Sequence, residues 1–146
     1  MRNERFPRAV ALAAALAWSG AAAACTVAAT PLSFGPIDPL AERQVDGAGA
    51  VEVVCPEPTA YTISITPPPS GGGYRQMVGD DNRLDYQLYS DAGYQLVWAD
   101  GTGGTGNVGG AAGPVGTEHP IYGRAFPRAG TAPGQYRDTL VVTVSY

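Results

Sequence analysis

The sequence predicts an all-β fold, a sandwich of seven or eight short strands, and three observations carry that prediction. In the C-terminal stretch from Gly134 to Tyr146, the residues Tyr136, Asp138, Leu140, Val142, Val144 and Tyr146 alternate with Arg137, Thr139, Val141, Thr143 and Ser145. This is the period of a half-buried strand. Twenty glycines and 13 prolines in 146 residues cut the apolar runs to strand length. No segment sustains a helical period. Because the sequence stops at Tyr146, the last strand is expected to present one edge of unpaired N–H and C=O groups unless an earlier segment covers it. What pairs with that edge is the functional question.

Residues 1–24 stand apart. Arg2, Arg5 and Arg8, the apolar run Ala9 to Trp18 and the small residues Ala22, Ala23 and Ala24 read as a secretory signal peptide cleaved near Ala24. The run is too short and too rich in alanine for a membrane span, and nothing later approaches the roughly 20 apolar residues a span needs. Residues 25–146, about 122 of them, suffice for one domain with a modest core. From Cys25 onward six arginines face twelve carboxylates, a net charge of minus six, and the sequence contains no lysine. A basic surface for nucleic acid or anionic lipid is therefore excluded. Cys25 and Cys55 both remain after cleavage, and export with an even count predicts a disulfide. Closing a loop of about 30 residues would restrict the unfolded chain by about 3 to 4 kcal/mol. Lipidation of Cys25 is the competing reading, but the residues before it are alanines, without the leucine of a lipoprotein signal.

Cys25 to Phe34 has strand character interrupted by Pro31, which places it at a sheet edge or on a bend. Gly35-Pro36 and Asp38-Pro39 are turn signals, and the chain to Gly49 reads as a surface connection. Ala50 to Cys55 is a strand with Val51, Val53 and Cys55 inward, and a disulfide to Cys25 would tie it to the first strand. Tyr61 to Thr66 is a strand with Tyr61, Ile63 and Ile65 on the core face, ended by Pro67, Pro68 and Pro69. After a short strand at Arg75 to Val78, Leu84 to Ser90 and Tyr94 to Trp98 are predicted as a hairpin about Asp91-Ala92-Gly93. Asp100 to Gly116 reads as a glycine-rich loop. His119 to Phe126 is a strand, and Pro127 to Pro133 a turn region.

Few residues suggest chemistry. The glycine-rich loop lacks the Gly-Lys-Ser/Thr ending of a phosphate cradle and has no strand and helix around it. Asp80, Asp81 and Asp85 do not match the spacing of a calcium loop. His119 is the sole histidine, and no nucleophile motif accompanies it. Trp98 with Tyr86, Tyr89, Tyr94 and Tyr122 could make a sugar platform, although strand aromatics in a small sandwich usually serve the core. No enzyme activity, cofactor or metal is expected.

Taken in order, Cys25 to Gly35, Asp38-Pro39-Leu40, Leu88-Tyr89-Ser90-Asp91, Trp98 to Thr102, His119 to Arg124 and Gly134 to Tyr146 resemble the spore coat protein U domain, a family that includes subunits of Csu-type archaic chaperone-usher pili. The resemblance covers nearly the whole chain after residue 24. It implies an immunoglobulin-like β-sandwich missing its last strand, with Cys25 and Cys55 matching the family disulfide. It also implies partners: a periplasmic chaperone, an outer-membrane usher and other pilus subunits, the strand being supplied by donor-strand complementation. In such an incomplete sandwich Leu140, Val142, Val144 and Tyr146 are expected to line the chaperone and donor-strand groove. Rod subunits of the family carry a donor segment ahead of the first cysteine, and cleavage near Ala24 leaves almost nothing there, which suits a tip subunit. The expectation is thus an exported pilus subunit passing through the periplasm to the cell surface and serving adhesion and biofilm formation. The alternative is a self-contained secreted module binding carbohydrate or a surface through the glycine-rich loop and Trp98.

Overall fold

Strand β2 (Val45–Val54) is central: Val51 and Val53 on its inner face, and Cys55 just past its end, are fully buried while Asp46, Ala48 and Glu52 point outward. The computed structural model describes residues 24–69 and 73–146, so the expected signal peptide lies outside the described residues but for Ala24. On one side β2 pairs antiparallel with β1 (Thr26–Ser33), and on the other with β7 (Thr117–Ala125), in register from Val45 opposite Ala125 to Val53 opposite Thr117. Beyond β7 come β5 (Arg83–Tyr89) and β4 (Arg75–Val78), giving the order β1-β2-β7-β5-β4. A second sheet is formed by β6 (Val108–Ala112), β3 (Thr59–Ile65) and β8 (Val142–Ser145), in the order β6-β3-β8. Every pairing between these strands is antiparallel.

The core lies between the sheets. Tyr61, Ile63 and Ile65 from β3 meet Val51, Val53, Leu84, Tyr86, Leu88 and Ile121, the alternation the sequence displays. Trp98 is wholly buried, and its indole N–H donates to Ile63 O at 3.1 Å, so its one polar atom is satisfied. The Cys25–Cys55 disulfide joins the chain just before β1 to the end of β2. Arg124 forms a two-pronged ion pair with Asp46 at 2.7 and 3.0 Å across the outer face and lies 3.6 Å from the Tyr94 ring centre. That pairing holds the Asp46 carboxyl below the usual carboxylate range.

Four expectations are corrected. The glycine-rich stretch contains β6, because Tyr61 stands opposite Gly110 and lays its ring where a side chain would be: a Cβ on Gly110 would lie 2.9 Å from the Tyr61 hydroxyl. The expected return strand Tyr94 to Trp98 is mostly a loop. Asp91 takes the N–H groups of Gly93, Gln95 and Leu96, and the chain rejoins β5 only at the Tyr89–Val97 pair. The surface connection ends earlier, since β2 begins at Val45. The long terminal strand is also divided. Arg137 exchanges backbone hydrogen bonds with Val78 of β4 at 2.8 and 3.0 Å, whereas Val142–Ser145 pair with β3, so the segment crosses from one sheet to the other.

Candidate functional site

Among the described residues five strands face three. At about 4.8 Å per strand, the larger sheet is wider by about 10 Å, and part of its inner face has no described strand opposite. The uncovered flank lies beside β8, which pairs with β3 on one edge and with no strand on the other among the described residues. A cleft of about 380 Å3 opens there. Leu32 and Phe34 border it on the β1 side, Leu140 and Val142 on the β8 side, and Ile121, Leu88 and Tyr86 of the larger sheet form its floor. It runs into a second hollow of about 400 Å3 through shared walls at Leu32, Phe34, Met77, Tyr136 and Arg137.

The terminal segment keeps its alternation. Leu140, Val142 and Val144 are half-buried against the core, whereas Val141, Thr143 and Ser145 are exposed. Val144 packs beside the cleft without bordering it, and Tyr146, past the end of β8, is 61% exposed. Thr66 fixes the crossing point: its N–H donates to Val141 O at 2.9 Å, and its hydroxyl accepts from the Val141 N–H at 3.0 Å. Asp138 is anchored by the Tyr86 hydroxyl, which donates to it at 2.5 Å. Burial, helped by the neighbouring carboxylate, pushes the Tyr86 hydroxyl far above its ordinary range, so it remains a donor. Behind it the buried Arg75 guanidinium donates to Thr66 O and to Trp98 O, the latter at 3.0 Å. Burial lowers its pKa, and nearby Tyr86 and Asp138 oppose that shift. The mouth of the cleft is thus tied to β3, β4 and β5 by polar contacts the sequence pattern did not reveal. Sequence reading also missed Leu32 and Phe34 as cleft walls, although the bend at Pro31 followed by alternating Leu32, Ser33 and Phe34 was a usable signal.

Trp98, His119 and Asp85 are engaged in contacts within the fold. Trp98 has no exposed surface on which a sugar could stack. His119 is hydrogen-bonded to the Tyr61 hydroxyl at 2.7 Å, and burial holds its pKa below the ordinary 6.5. Asp85 is engaged by Arg128 at 2.7 Å and by Gln76 at 3.0 Å. Among the described residues no helix is long and apolar enough to cross a membrane.

The architecture is an immunoglobulin-like β-sandwich whose smaller sheet leaves one flank open. The chain belongs to the spore coat protein U domain family, whose model matches residues 11–143. Among solved structures it is similar to a chain of the crystal structure of the CsuC–CsuE chaperone–tip adhesion subunit pre-assembly complex from archaic chaperone-usher Csu pili of Acinetobacter baumannii. The two share 18% sequence identity with a TM-score of 0.53, over 84% of this chain and 39% of that one. The likeness is one of fold, and this chain spans well under half the length of its match. No match was found among curated protein sequences.

Proposed function

We propose that this chain is an exported structural subunit of a chaperone-usher surface fibre, and that its open flank accepts a strand from another chain. The observation that carries this reading is the edge of β8, unpaired among the described residues, beside an apolar cleft walled by the half-buried Leu32, Phe34, Leu140 and Val142. A strand added there would satisfy the β8 edge and bury Leu140 and Val142 in one step, the two components of β-augmentation. Family membership and a fold shared with a protein solved in a chaperone complex support it. In this reading a periplasmic chaperone supplies the strand first and a neighbouring subunit later, an outer-membrane usher carries the exchange, and the fibre serves adhesion and biofilm formation. The signal peptide at residues 1–24 delivers the chain to the periplasm. Co-expression with a periplasmic chaperone of the chaperone-usher class tests the proposal. A stable one-to-one complex, with degradation when the chaperone is left out, is the expected result. A stable monomer that ignores the chaperone refutes it.

A further inference from the structure

Past Thr30 the pairing of β1 with β2 slips, so that Thr30 stands opposite Ala50 but Ser33 opposite Ala48. Pro31 lies inside the slip and has no N–H to contribute to a ladder. The chain here approaches the inner face of the larger sheet very closely: a Cβ on Gly47 would lie 2.5 Å from Ser33 O, and one on Gly49 would lie 2.9 Å from Thr30 O. Gly123 of β7 is directly opposite Gly47, and a Cβ there would lie 2.6 Å from Leu32 Cδ1 and 3.1 Å from Phe34 Cε1. Phe34 continues across the sheet to meet Tyr86 edge-on, with ring centres 6.1 Å apart.

Three inward-facing glycines therefore form a notch, and the chain seats Leu32 and Phe34 in it. Packed sheets lie about 10 Å apart, a space normally shared by side chains from both layers. In the notch, β1 already occupies part of that depth. Leu32 and Phe34 are only half-buried, their remaining surface facing the cleft.

Resting on the strand-accepting reading of the flank, we propose that Leu32 is a specificity-determining residue of the cleft. It sets the depth of one subsite, so that the flank selects a small aliphatic side chain, alanine or valine, at the position of the incoming strand that faces it. Gly123 is the positioning residue that allows Leu32 to sit so deep.

The test uses synthetic nine-residue peptides of alternating threonine and valine, with the central valine replaced in turn by alanine, leucine and phenylalanine. Binding to the mature chain, refolded in vitro with its disulfide formed and away from periplasmic proteases, is measured by calorimetry. Wild type is expected to bind the alanine and valine peptides about tenfold or more tighter than the phenylalanine peptide. Leu32→Ala should move the optimum to leucine or phenylalanine. Leu32→Met, similar in volume, should keep the wild-type ranking. Gly123→Ala should push Leu32 outward and sharpen the preference for alanine, and the two Leu32 variants decide the matter whether or not Gly123→Ala folds. An unchanged ranking in Leu32→Ala overturns the inference while leaving strand acceptance intact. Failure of every peptide to bind wild type overturns the reading beneath it as well.

Discussion

Replacing Val142 with aspartate separates docking at the open flank from folding of the domain. Val142 stands opposite Ile65 on β8, half-buried, with its outer side on the cleft. In the isolated chain the new carboxylate reaches water through the open flank, and the expected loss of stability is about 1 kcal/mol. Once a strand closes the flank, the carboxylate must lose its water or take up a proton. Protonating a group with an ordinary pKa near 3.9 at pH 7 costs about 4 kcal/mol, which caps the penalty. At 1.4 kcal/mol per decade, capture of the strand weakens by up to about a thousandfold. Thr143→Asp is the control, because Thr143 points outward and is exposed, and its effect should stay within about 0.5 kcal/mol. The assay is recovery of each variant in a pull-down with the co-expressed chaperone. Equal, wild-type-like recovery of both would show that β8 is not the docking edge.

Replacing Cys25 and Cys55 together with serine opens a loop of sequence separation 30 and should cost about 3 to 4 kcal/mol, read as a fall in the urea midpoint; an unchanged midpoint would show that the disulfide contributes nothing to stability. Trp98→Ala removes the largest fully buried side chain and leaves Ile63 O without its indole donor. A loss of about 3 to 5 kcal/mol is expected in the same assay, and a loss under about 1 kcal/mol would refute the assigned role in the core. Burial depresses the pKa of His119 below 6.5 in the native state, so as the pH falls the unfolded chain takes up that proton first. This contribution to stability is fully present above about pH 6.5 and is lost as the pH falls through the native pKa, a window well above that of Asp46, whose loss begins near its ordinary 3.8. Urea midpoints at pH 7.5 and 5.5 should therefore differ less in His119→Gln than in wild type, and an identical difference would exclude this histidine as a cause.

Much of the strand content was legible because strand burial has a period of two. Val51, Val53 and Cys55, then Tyr61, Ile63 and Ile65, declare their faces without any partner in view, and Leu140, Val142 and Val144 retain theirs where the strand has only one neighbour. Turn residues likewise mark where strands end. The weak sequence signal at Val108–Ala112 has a different cause: glycines carry no face to read, and β6 exists because Tyr61 of β3 covers Gly110. The terminal segment reads as one continuous strand because alternation is blind to which sheet a residue joins. Its division into a contact with Val78 and a ladder with β3 depends on the offset between the two sheets.

The candidate site divides along the same line. The sequence by itself determined an all-β chain, a paired Cys25 and Cys55, and a final apolar face at Leu140, Val142 and Val144, since each follows from local composition or from a period of two. Only the tertiary structure decided that five strands oppose three, that Leu32 and Phe34 sink into a glycine notch, and that Tyr86 holds Asp138 at the mouth of the cleft. These are relations between residues tens of positions apart. The width of a sheet and the depth of a cleft are set by packing between layers, which no local pattern encodes.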